Sequence, residues 1–144
     1  MAEKETEIIN IEDFFTVDNE NAGLWFEPKI KGTPCGIQFL VTGKGSVENT
    51  VNTERYEKEL AKLEDLDDPT ERVEKAKELD ANFIATFVKG IRAAKGKELN
   101  FGGKPLEYSV PLIQQLLLRS PLIKTEIVMF AKDTTNFIKR EKND

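Results

Sequence analysis

Apolar positions concentrate in the last third of the chain, where residues 109–137 read SVPLIQQLLLRSPLIKTEIVMFAKDTTNF. Ser109 is placed to cap a helix whose first turn tolerates Pro111. Val110, Leu112, Ile113, Leu116, Leu117 and Leu118 then fall nearly all round it, which predicts burial on most sides. Ser120-Pro121 stops that helix and starts another, in which Ile123, Ile127, Phe130 and Phe137 form a single stripe.

Upstream the pattern is helical but far more charged. Tyr56, Leu60 and Leu63 recur at helical spacing over 53–66, with Glu54/Lys58 and Arg55/Glu59 set for ion pairs on the outer face. Asp68-Pro69-Thr70-Glu71 combines an N-cap, a proline at the first helical position and an acid in the first turn, so a new helix starts there. It is expected to reach about Val88, with Val73, Ala76, Phe83 and Phe87 inward and Gly90 as its C-terminal cap. The two segments form an antiparallel helical hairpin.

Two stretches change period to two. Leu24, Phe26 and Ile30 share one face, and Ile37, Phe39 and Val41 share another after the Lys31-Gly32-Thr33-Pro34 connection, which predicts a β-hairpin. Pro28 donates nothing to a ladder, so its strand lies at an edge or carries a bulge. Trp25 alternates to the opposite face, where packing beneath a helix is expected and partial exposure as a contact residue is the alternative. Leu99 and Phe101, then Gly102-Gly103 and Leu106, predict a second hairpin, because two glycines supply the positive φ angles of a tight turn. A two-stranded ribbon is marginal in water, so this hairpin is expected to join the first in one sheet. The resulting class is α+β: a small antiparallel sheet from two β-hairpins packed with a long helical hairpin and a C-terminal helical pair. Residues 1–10 read as a flexible tail, 11–140 as one domain in which Phe14 and Phe15 anchor on the body, and 141–144 as a charged tail.

The 144 residues suit one domain with a real core. Twenty-six acidic against 21 basic residues leave a net charge of -5, which disfavours a nucleic-acid partner. No apolar run approaches the roughly 18 residues needed to span a bilayer. Cys35 is the lone cysteine, and the N-terminal MAEKETEIIN lacks a secretory pattern, so the expected compartment is the cytoplasm.

Catalytic options are few. The chain has no histidine, which removes the commonest general base and metal ligand. Ser46, Ser109 and Ser120 each have a turn or cap to serve, and none lies in a G-x-S-x-G. Asp65, Asp67 and Asp68 cluster in an interhelical turn, without the alternation of a cation-binding loop. Gly43-Lys44-Gly45-Ser46 resembles a phosphate cradle but lacks the P-loop spacing, and such glycines more often only turn the chain. No catalytic, cofactor-binding or metal-ligating residues are nominated, and the expected class is a non-enzymatic binding protein.

Four segments, DFFTVDNENAGLWFEPKIKGTPCGIQFLVTG, ERYEKEL, FVKGIRAAKGKELNFGGKPLEYS and SPLIKTEIVMFAKDTTNF, resemble tail assembly chaperones of bacteriophages and prophages. They span most of residues 13–137. The resemblance implies an assembly factor in the bacterial cytoplasm that binds the long, apolar, helical tape-measure protein, keeps it soluble and helps bring tail-tube subunits to it. It carries over no client-binding residues. The residues themselves nominate the stripe Ile123, Ile127, Phe130 and Phe137, with Trp25, as partner contacts, against the alternative that they fill the core. The competing readings are a structural tail or head-tail connector subunit of the virion, and an inhibitor of a host enzyme. Self-association stays open.

Overall fold

The computed structural model describes residues 6–138, an α+β arrangement built from short strands and five α-helices. A 3-10 turn at Ile11–Phe14 leads into α1 (Val17–Ala22), which ends at Gly23, φ 85°. β1 (Leu24–Phe26) follows. The small ribbon of β2 (Lys29–Ile30) and β3 (Thr33–Pro34) turns at Lys31 and Gly32, both at positive φ, and β4 (Ile37–Val41) returns alongside β1. The first predicted hairpin is therefore present but interrupted. Pro28, fully buried, sits at the break, and its carbonyl accepts the Cys35 amide at 2.9 Å.

α2 (Val47–Lys62) starts earlier than its apolar period indicates, because Ser46 Oγ accepts the Asn49 amide as a side-chain cap. The ion pairs on the helical hairpin are Glu59–Lys62 and Glu71–Lys75, in place of the two expected pairs. α3 (Pro69–Ala85) begins where predicted, with Asp68 Oδ1 accepting the Thr70 amide. Val73 is exposed, whereas Ala81, Ile84 and Ala85 form its buried face.

The helix stops three residues short of expectation and gives way to β5 (Val88–Ala93). β5 pairs antiparallel with β4, aligning Leu40 with Gly90 and Phe39 with Ile91. Gly90 is thus a strand residue and not a helix cap. The sheet runs β1-β4-β5, so its third strand comes from this segment; β6 (Asn100–Phe101) and β7 (Lys104–Pro105) pair only with each other. Their turn is the predicted one, with Gly102 at φ 62° and Gly103 at φ 79°.

α4 (Val110–Arg119) and α5 (Pro121–Lys132) carry the predicted caps: Ser109 Oγ accepts the Leu112 amide and Ser120 Oγ the Ile123 amide. α4 buries only Ile113 and Leu117, and Val110 and Leu118 face outward, so one stripe enters the core and not most of its circumference. A 3-10 turn at Thr134–Phe137 closes the described chain.

The core joins Phe39 and Val41 of the sheet to Ile84 of α3, Ile113 and Leu117 of α4, and Ile127 and Ala131 of α5. Phe26 of β1 stacks on Phe130 of α5 at 4.4 Å between ring centroids, and Phe130 meets Phe137 edge-on at 5.4 Å. This aromatic chain ties the sheet edge to the last helical turn, each pair adding about 0.5–1.5 kcal/mol beyond its burial.

Candidate protein-binding surfaces

The five nominated partner contacts separate into two groups. Ile127 and Phe137 are completely buried, and Ile123 and Phe130 pack half-buried against the core, so the α5 stripe is structural in this fold. Trp25 alone of the five stays open, at 40% exposure, on the sheet face away from the helices.

Trp25 is held in a defined pose. Its indole lies across Gly90, two strands away, where a β-carbon would stand 3.1 Å from Cη2. The Arg92 guanidinium sits 4.0 Å from the ring centroid, a cation–π contact worth about 0.5–1 kcal/mol when exposed. Arg92 Nε donates to Gln38 Oε1 at 2.7 Å, Gln38 Nε2 donates to Glu27 Oε1 at 3.1 Å, and Glu27 Oε2 accepts the Gly36 amide at 3.0 Å. The aromatic plate is braced by polar groups from β4 and β5 and by Glu27, just past the end of β1.

A second surface lies where α2 and α5 flank α3. Tyr56 and Phe83 stack at 4.4 Å with rings 9° from parallel, and Phe87 meets Phe83 edge-on. This stack floors an open groove of about 410 Å³, with Ile84, Asp80, Lys124 and Met129 among its walls. A smaller recess of about 140 Å³ continues it toward Lys44 and Lys132. Asp80 pairs with Lys124 and accepts a long hydrogen bond from the Tyr56 hydroxyl, 3.4 Å. Burial first, and the Asp80 charge second, push the Tyr56 phenol above its ordinary pKa. Lys44 and Lys132 form no ion pair among the described residues, and with Glu57 the only acid beside them in the recess, lysines outnumber acids along this rim.

The third surface is the N-terminal segment. Ile8, Ile9, Ile11, Phe14, Phe15 and Val17 are 57–82% exposed. Phe14 and Phe15, expected to anchor on the body, do not. The segment is held by its own turn, with the Asp13 amide on the Asn10 carbonyl and the Phe15 amide on the Glu12 carbonyl. The first side-chain tie to the body is further on, where Asn19 Nδ2 donates to the Phe137 carbonyl at 2.9 Å. Glu7, Glu12, Asp13 and Asp18 lie along the segment, and residues 6–18 contain no Lys or Arg.

The Gly43–Ser46 loop packs around an internal carboxyl group. Glu20, only 3% exposed, packs against it: a β-carbon at Gly43 would overlap the Glu20 side chain, and one at Gly45 would stand 2.7 Å from Oε2. Asn49 Nδ2 bridges the Thr42 hydroxyl at 2.7 Å and the Gly43 carbonyl at 2.8 Å, fixing the loop from the α2 side. Burial raises the pKa of Glu20. A phosphate cradle needs open amides and an empty concavity, and here the glycines make room for a carboxylate.

Among the described residues, no three His, Cys, Asp or Glu side chains converge as a metal site would require, and no helix is long and apolar enough to cross a membrane. Comparison of the chain with protein-family models, with curated proteins and with solved structures returned no match. The reading of its role therefore rests on the three surfaces and on the sequence pattern.

Proposed function

We propose that the protein is a tail assembly chaperone of a phage or prophage, acting in the bacterial cytoplasm by non-catalytic contact with the tape-measure protein. The observation that carries this reading is the run of exposed apolar side chains from Ile8 to Val17. Large contiguous apolar patches are uncommon on soluble monomers and mark interaction sites. A tape-measure chain offers long apolar helices before the tail tube encloses them, and the N-terminal segment supplies closely spaced Ile and Phe side chains to cover them. The charged outer faces of α2 and α3 keep the complex dispersed. Trp25, rigid and open, offers a second contact of the kind enriched at binding hot spots.

Co-expression with a candidate tape-measure protein tests the proposal. The client should become soluble and co-purify with the wild-type chain, and Phe14→Asp/Phe15→Asp should abolish co-purification while leaving the circular dichroism spectrum unchanged. A client that stays insoluble, or binds the variant equally well, overturns the reading. Stoichiometric recovery of the protein from purified virions would favour a structural tail or connector subunit instead.

A further inference from the structure

The chain displays an apolar, acidic segment and an apolar, lysine-rimmed groove, and in the monomer neither covers the other. We infer that two copies of this chain exchange N-terminal arms, residues 6–17 of each lying in the groove over the Tyr56–Phe83 stack of the other. The occupant is set by two matches. Ile11, Phe14 and Phe15 supply aliphatic and aromatic groups for a floor that is itself aromatic, and a 410 Å³ groove accepts bulky side chains of this kind. Glu12 and Asp13, beside those rings, bring negative charge to a rim where, among the described residues, Lys44 and Lys132 form no ion pair and outnumber the single acid, Glu57.

Reciprocal exchange is an isologous contact, closed by a two-fold axis, and needs only one kind of surface pair. Its size is adequate. Phe14 and Phe15 are 64–65% exposed, so four rings of roughly 150–250 Å² leave about two-thirds of that to bury, and with Ile8, Ile9 and Ile11 of both arms and the matching groove surface the exchanged pair reaches on the order of 1,000 Å², the size a specific interface must clear.

The exchange also gives the arm a covered state. It rests on the client reading above only in this respect: if the arm holds the tape-measure protein, dimer and client compete for it, and the client dissociates the dimer on binding. Storing an apolar segment in this way keeps it from indiscriminate association.

The test uses the full chain. Sedimentation equilibrium of the wild type should show a monomer–dimer equilibrium that weakens in high salt, as screened charge pairs require. Glu12→Lys/Asp13→Lys should weaken it about tenfold, Lys44→Glu/Lys132→Glu by a similar factor, and the four changes together should restore much of the loss. Lys44 and Lys132 are exposed, so these variants leave the core intact. A chain that is monomeric at all accessible concentrations, or a dimer unmoved by the arm substitutions, overturns the exchange. So does failure of the combined variant to recover. Co-purification of the same variants with the tape-measure protein keeps the two readings apart: arm-dependent dimerisation without client binding defeats the chaperone reading and leaves the exchange standing, and client binding by a permanent monomer does the reverse.

Discussion

The Glu20 carboxylate fills the space over Gly45, so that a β-carbon there would stand 2.7 Å from Oε2. Gly45→Ala should therefore destabilise the fold by about 1 kcal/mol, and Gly43→Ala by more, toward the upper end of the roughly 1–3 kcal/mol typical of overpacking. The difference arises because Gly43 faces the stem of Glu20 and Gly45 faces its movable end. Urea denaturation of Gly45→Ala in a Glu20→Ala background should recover most of the loss, since the two positions touch.

Glu20 also makes stability depend on pH. Burial raises its folded pKa above the ordinary 4.5, so the folded chain holds this proton more tightly than the unfolded chain does. The stabilisation is complete below about 4.5 and is lost as pH rises through the folded value. Among the described residues Oε1 has no hydrogen-bond partner, so the ionised form has little to offset its desolvation. Glu20→Gln should be more stabilising, relative to wild type, at pH 7 than at pH 4. Paired denaturation curves at the two pH values check this, and an equal effect at both would refute it.

Tyr56 should ionise above the usual 10.0, chiefly through burial and secondarily through Asp80. Its stabilising proton is held below that value and lost at higher pH, so the fold weakens in strong alkali through this group. Asp80→Asn should lower the phenol pKa only part of the way, because desolvation remains. Ultraviolet titration of phenolate in the two proteins gives the comparison.

Ile127 and Met129 lie two residues apart on α5 with opposite environments, the first fully buried and the second 63% exposed. Ile127→Ala should cost about 2–5 kcal/mol. Met129→Ala should stay within about 0.5 kcal/mol. Similar values for both, measured by thermal or chemical unfolding, would contradict the assignment of the α5 stripe to the core.

Features set by local chemistry were legible in the sequence. Asp68-Pro69, Ser109 and Ser120 start helices as their capping chemistry requires, and Gly102-Gly103 turns as positive φ demands. β5 was hidden because Val88–Ala93 continues a helical pattern, and Gly90 resembles a cap. Pairing with β4 decides its state, and that partner lies about fifty residues away, beyond the reach of local propensity.

The candidate surfaces divide the same way. Periodicity put Ile123, Ile127 and Phe130 on the inward side of α5, whereas Phe137, expected on the same helical stripe, lies in the separate 3-10 turn beyond the helix; and a stripe looks identical whether it meets its own core or a stranger. Alternation set Trp25 opposite Leu24 and Phe26, but packing beneath a helix was the expected outcome there, and the fold instead leaves it 40% exposed. Phe14 and Phe15 were misassigned to the body, since hydrophobicity predicts that a side chain will be covered and not by what. The groove combines α2, α3 and α5, and no single segment of sequence contains it.

Trp25 is the sole tryptophan of the chain, and it resides on the sheet under Arg92 and over Gly90, remote from the aliphatic interior. Intrinsic emission thus watches the alignment of three strands rather than the melting of the helices. Optical and calorimetric transitions of this protein coincide only if sheet and helices come apart together, which makes one native fluorophore a built-in gauge of cooperativity.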